Sequence, residues 1–160
     1  MNLRNSVLFC FLVLLSCEKD DICLEGTPAT PRMIVVFKDF QDKLATKAVN
    51  ELTIKGFGQE TNYTIFSGDS IALPFRNNYD ITQYKLILGV ENESQIVDSL
   101  QINYKQFDIY INRACGYKSN YIFNNPAYYI LTQGDGWIKS IEIIKDTIID
   151  ETSSHLAIYH

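Results

Sequence analysis

The chain has 160 residues, with 14 Lys and Arg against 19 Asp and Glu and a formal net charge of −5. Such an acidic balance excludes a nucleic-acid-binding role, which needs a basic surface to neutralise phosphates. The two histidines, His155 and His160, stand at the far C-terminal end, which leaves a cysteine nucleophile without an obvious base.

Residues 1–16 read as a signal peptide. Arg4 supplies the positive start, Val7 to Leu15 the apolar run, and Ser16 the small residue before the cut. The run is too short to span a bilayer, which takes about 20 helical residues. Leu14-Leu15-Ser16-Cys17 is similar to the lipobox of bacterial lipoproteins. That resemblance implies that Cys17 is acylated and becomes the mature N-terminus; an ordinary secretory signal ending at Ser16 is the alternative. Two or three acyl chains, at roughly 0.8 kcal/mol per buried methylene, hold a protein on a membrane without a further spanning segment. The run Glu18, Lys19, Asp20, Asp21 resembles the surface-export signal of Bacteroidota lipoproteins, with Lys19, Asp20 and Asp21 as its matching residues. It implies display on the outer face of the outer membrane. The alternatives are a solvated charged tether and an anchor facing the periplasm.

Loss of Arg4 with the signal leaves the remaining chain more acidic still. Its length suits one domain, with residues 17–31 as a lipidated tether and residues 32–160 as a single β-domain. Cys10 leaves with the signal and Cys17 carries lipid, so Cys23 and Cys115 remain as the disulfide pair expected in an oxidising compartment.

Past the Pro28 and Pro31 stretch, Met33 to Phe37 is nearly all apolar and β-branched, which predicts a first strand buried on both faces. Strands are also expected at Glu51 to Phe57, Tyr63 to Phe66 and Ser70 to Leu73. The clearest alternation runs through Thr82, Tyr84, Leu86, Leu88 and Val90, and it recurs in Leu100-Ile102-Tyr104 and Phe107-Ile109-Ile111. Tyr121 to Phe123, Tyr128 to Thr132, Trp137 to Ile144 and His155 to Tyr159 complete the set. Gly68-Asp69, Asn77-Asn78, Asn124-Asn125-Pro126 and Gly134-Asp135-Gly136 punctuate them as turns. A helix competes only over Ile138 to Ile149, where isoleucine richness favours strand. The pattern predicts an all-β fold, an antiparallel β-sandwich, immunoglobulin-like or related, of roughly eight to ten strands.

No hydrolase elbow, zinc-protease motif or phosphate loop is present in the sequence, and a non-enzymatic protein is expected. Asp20-Asp21 and Asp150-Glu151 lie in polar stretches where nothing pushes one carboxylate's pKa away from the other's. Gly134-Asp135-Gly136 reads as a hairpin turn rather than a calcium loop, and neither a metal nor a cofactor is expected. Twenty aromatic side chains raise a binding face, because Tyr and Trp bury large area and keep a polar handle. Phe107, Phe123 and Trp137 are assigned to the core or a strand face. The candidate binding aromatics are Tyr79 in its turn, Tyr117 beside Cys115, and the neighbours Tyr128 and Tyr129, which must point to opposite faces of a strand. Asp69-Ser70-Ile71, Asp98-Ser99-Leu100 and Asp146-Thr147-Ile148 look like the O-glycosylation sequon of Bacteroidota, with Ser70, Ser99 and Thr147 as acceptors. Chance alone also generates this degenerate pattern at a turn that leads into a strand.

Cys17-Glu18-Lys19-Asp20-Asp21-Ile22-Cys23, Thr27-Pro28-Ala29-Thr30-Pro31, Arg113-Ala114-Cys115-Gly116 and the closing His155-Leu156-Ala157-Ile158-Tyr159 together resemble a family of small Bacteroidota lipoproteins of unknown function. The resemblance implies a disulfide-linked β-domain on a lipid anchor and lends no activity. Leu24 departs from the turn-forming residue that the pattern favours after Cys23. The expected function is a lipid-anchored, non-catalytic envelope protein that contacts another envelope protein; a surface module for glycan or another nutrient is the alternative.

Overall fold

The computed structural model describes residues 22–89, 95–132 and 135–160. Cys17, Lys19, Asp20 and Asp21, the signal peptide, Val90 and Gly134 lie outside them. The described residues form two compact units: one combines residues 30–108 with 119–160, and the other combines residues 22–29 with Ile109–Lys118.

The described residues contain ten strands and no helix. Four form one sheet in the order β4 (Ser70–Leu73), β1 (Met33–Lys38), β10 (Leu156–Tyr159), β8 (Ser140–Ile143). Six form the other, in the order β3 (Thr64–Gly68), β2 (Val49–Gly56), β5 (Ile81–Leu88), β6 (Ile96–Asn112), β7 (Gly116–Ile130), β9 (Thr147–Ile148). The fold is thus an all-β sandwich. β1 pairs parallel with β10, Val35 opposite Leu156, while β4, β8 and the pairs of β2, β3 and β5 are antiparallel. One core joins the sheets, with Met33, Val35 and Phe37 of β1 and Leu156 and Ile158 of β10 facing Leu52, Ile54, Leu86, Leu100 and Ile102.

Alternation explains most of this. Leu100, Ile102 and Tyr104 are buried while Gln101, Asn103 and Lys105 face outward, and a sheet with one packed face needs that period. The outward amides form a chain, Gln83 Nε2 donating across to Gln101 Oε1 of β6 at 2.7 Å and Gln101 Nε2 donating along β6 to Asn103 Oδ1 at 2.7 Å. β1 is buried on one face and half-buried on the other rather than enclosed on both. The strand with all four residues buried is instead β10, which lies inside its sheet between β1 and β8.

Two expected breaks are absent. Leu100–Tyr104 and Phe107–Ile111 belong to one strand, β6, and Tyr121–Phe123 and Tyr128–Thr132 largely to another, β7. Phe107 therefore falls on the parity opposite Tyr104 and stays exposed. In β7 the Asn125–Pro126 peptide is cis, and proline offers no N–H to a ladder. Side-chain amides bridge the gap instead: Asn124 Nδ2 donates to Tyr104 O at 3.1 Å and Asn103 Nδ2 to Pro126 O at 2.8 Å. The Ile138 to Ile149 segment is extended, and its two strands belong to different sheets, β8 to the smaller and β9 to the larger.

In the smaller unit Cys23 and Cys115 form a disulfide with their Cα atoms 4.8 Å apart. Asn112 Oδ1 accepts the Cys115 N–H at 2.7 Å, and Gly116 takes a φ of 69° at the turn. Leu24 does begin a turn, its carbonyl accepting from Thr27 N–H at 3.2 Å and Thr27 Oγ1 at 2.7 Å, because Gly26 supplies the positive φ.

Candidate binding groove

The connections β2–β3 and β4–β5 come together within the larger unit and enclose a groove of about 540 Å³. That is within the ordinary range of small-molecule sites. β2 ends at Gly56, and Phe57, flanked by Gly56 and Gly58, is turned out to the rim, with its N–H donating to Gln83 O at 3.0 Å. Gln59 N–H donates to Gly56 O at 3.0 Å and Tyr63 N–H to Ile54 O at 2.7 Å, which closes the loop against the sheet edge. Phe57 and Tyr63 are both about half exposed.

The floor is aromatic and held from beneath. Phe75 lies with its ring centroid 4.4 Å from Tyr104 and 4.5 Å from Tyr121. The Tyr84 hydroxyl donates to Pro74 O. Tyr104 hydroxyl donates to Arg76 O at 2.7 Å and lies 2.8 Å from Thr82 Oγ1, which accepts the Arg76 N–H at 2.9 Å. Residues 74–76 are extended chain between strands, and these bonds replace a sheet ladder for them. The Tyr121 hydroxyl donates to the side chain of Asn77, at its Oδ1. Burial pushes the phenols of Tyr84, Tyr104 and Tyr121 up from their ordinary value, Tyr84 most of all, so they act as neutral donors.

Arg76 brings a cation to the rim, its guanidinium stacked over the Tyr79 ring 3.8 Å from the centroid. Asn78 before it adopts a φ of 63°, which an asparagine tolerates in a tight turn. Apolar rings around a planar cation and the amides of Gln59 and Gln83 suit a partner's side chain or a ring-shaped ligand.

Of the residues singled out from the sequence, Tyr79 is outside the lining of this groove and reaches it only by stacking on Arg76; it lines a separate hollow with Asp80 and Lys105. Tyr117 lies in the smaller unit beside the disulfide, its ring centroid 5.2 Å from Tyr110. Tyr128 packs against the core with its hydroxyl donating to Ile141 O at 2.8 Å, whereas Tyr129 is exposed. Trp137 is buried, and Phe123 packs against the core. Ser70 is exposed at the start of β4; Ser99 is half-buried inside β6 beside a buried Asp98; Thr147 is half-buried and donates to Asp146 Oδ1 at 2.9 Å. Asp150 is held down at about 2 by the Thr152 hydroxyl and N–H with Lys145 beside it, and Glu151 is lowered by its bonds to Arg32. Both carboxylates are tied into structure: Arg32 Nε and Nη2 grip Glu151 at 2.9 and 2.6 Å.

The sequence reading missed Phe57, Tyr63, Phe75, Arg76 and Tyr84. The one local signal was Gly56-Phe57-Gly58, an aromatic residue placed in a turn where a strand cannot bury it. Among the described residues no group of three or more His, Cys, Asp or Glu is placed to hold a metal ion.

No curated protein and no solved structure matches the chain. The pattern of a family of unknown function (DUF6452) matches residues 51–160, which runs from within β2 to β10 and takes in every residue of the groove, and Cys115 but not Cys23. Since that match covers more than half of the chain, the protein belongs to the DUF6452 family of unknown function.

Proposed function

We propose that this protein is a lipid-anchored, non-catalytic envelope module that holds another envelope protein through the groove bordered by Phe57, Tyr63 and Arg76. One observation carries the reading: half-exposed aromatic rings and a guanidinium surround a groove whose floor is fixed by buried tyrosine hydroxyls. Rigid aromatics and arginine around a desolvated pocket are the usual energetic centre of a protein interface. A preformed floor also lowers the ordering cost of binding. The anchor at Cys17 and the Lys19-Asp20-Asp21 run support an outer-membrane address facing the cell surface, with the periplasmic face as the alternative.

A photo-reactive residue in place of Phe57, introduced in native cells, is expected to crosslink one envelope protein, and Arg76→Ala is expected to abolish the product. Absence of any specific crosslinked partner sinks the reading. The address is tested with protease on intact cells: loss of a C-terminal tag supports the surface, and protection until lysis supports the periplasmic face.

The volume and the ring-lined walls favour a second reading, a site for a sugar ring. A glycan panel decides it, since Tyr63→Ala then removes binding without unfolding the domain, whereas a uniformly negative panel eliminates the reading.

A further inference from the structure

We infer that the disulfide-closed turn between β6 and β7 rests in the headgroup layer of the membrane that carries the anchor, as a second contact besides the acyl chains. The inference rests on the anchoring of Cys17 proposed above, and its starting point is covalent length. Cys23 follows Cys17 by six residues in the sequence, and an extended chain covers at most about 3.6 Å per residue, so the disulfide stays within about 22 Å of the lipidated residue. Cys23 is bonded to Cys115, so the turn shares that restraint.

The side chains around the bond fit an interfacial position. Ile22 and Leu24, on either side of Cys23, are 67% and 65% exposed; Tyr110 and Tyr117 are 56% and 71% exposed. Scattered exposed apolar residues need no explanation, but these four, with Ile109 exposed as a fifth, mark a contact surface in so small a unit. The tyrosines meet edge to face with centroids 5.2 Å apart, an arrangement that presents a joint amphipathic face. Tyrosine concentrates at headgroup level because its ring is apolar and its hydroxyl is wet. The turn is also stiff enough to act as a foot, through the disulfide, the Asn112 bond to Cys115 N–H and the Thr27 bonds to Leu24 O.

The test uses the full mature protein purified from its membrane, carrying Tyr117→Trp in a Trp137→Phe background, in vesicles with and without brominated acyl chains. The expected result is emission shifted to shorter wavelength and quenched by the brominated lipid. As a check that does not depend on that variant folding, the unmodified protein in vesicles is expected to show slower amide exchange over residues 109–118 than soluble Cys17→Ser. Mass analysis of the N-terminal peptide separates the two ideas. Acylated Cys17 with solvent-like, unquenched emission and unchanged exchange overturns the membrane contact alone, whereas an unacylated Cys17 overturns the anchor and the contact together.

Discussion

The imidazole of His155 accepts the backbone N–H of Ile34 at 3.0 Å through Nδ1, while His155 N–H donates to Ile34 O at 2.9 Å. A side chain thus completes the pairing of two backbone groups where β1 and β10 begin to run side by side. Nδ1 as an acceptor places the proton on Nε2, which is buried and has no hydrogen-bond partner among the described residues. His155 is fully buried, and its role is to hold two strands together.

That arrangement makes stability depend on pH. Burial is the main reason that the His155 pKa lies below 6.5; Lys145 adds to the effect, and Asp150 and Glu151 oppose it without reversing it. Below 6.5 the unfolded chain takes up a proton that the folded chain refuses, so stability falls as pH drops from that point toward the folded pKa, at no more than about 1.4 kcal/mol per pH unit. Urea midpoints measured from pH 8 to 5 are expected to decline below 6.5. His155→Asn keeps an acceptor near Nδ1 and is expected to flatten the decline; an equal decline in that variant refutes the assignment.

Tyr104 lies under the groove and joins Thr82 to Arg76 O. Tyr104→Phe removes a hydroxyl from a fully buried site and leaves the Arg76 carbonyl without that bond, at an expected loss of about 1–3 kcal/mol in unfolding free energy. Any crosslink made at Phe57 is expected to weaken as well, because residues 74–76 lose their support. Unchanged denaturation and crosslinking would show that the network is not needed.

Gly136 has a packing reason. A Cβ built there meets Asp98 Oδ1 at 2.0 Å, and Asp98 is held in place by the Ile138 N–H, which donates to its Oδ2 at 2.8 Å. Gly136→Ala is expected to cost about 2–3 kcal/mol, in the range of overpacked cores. Adding Asp98→Ser to that variant is expected to recover part of the loss. Purely additive effects in the two-residue cycle would mean that the contact is relieved elsewhere.

The Cys23–Cys115 bond closes a loop with a sequence separation of 92, for which chain entropy predicts up to about 4–5 kcal/mol of stabilisation. Unfolding with and without reductant, together with Cys23→Ser/Cys115→Ser, is expected to show a drop of about 2–5 kcal/mol. Identical curves would mean that the larger unit unfolds without regard to the bond.

What the amino-acid order determined was whatever a short window of chain encodes. Alternation at Leu100, Ile102 and Tyr104 marks a strand with one packed face, the bounds of β4 were readable at Ser70 and Leu73, and the pairing of Cys23 with Cys115 followed from counting cysteines. The tertiary structure decided whatever depends on partners distant in sequence. Asn124-Asn125-Pro126 reads locally as a break, yet β7 continues through it, with the side-chain amide of Asn124 donating to Tyr104 O and that of Asn103 donating to Pro126 O. Phe57, Phe75, Arg76 and Tyr84 belong to one groove only because β2 and β5 pair, with Gly56 opposite Tyr84. The sequence placed His155 at the start of a strand, but its bond from Ile34 N–H exists only because β10 lies beside β1. Periodicity records how much of a side chain is buried, but strand pairing over long separations decides what it is buried against.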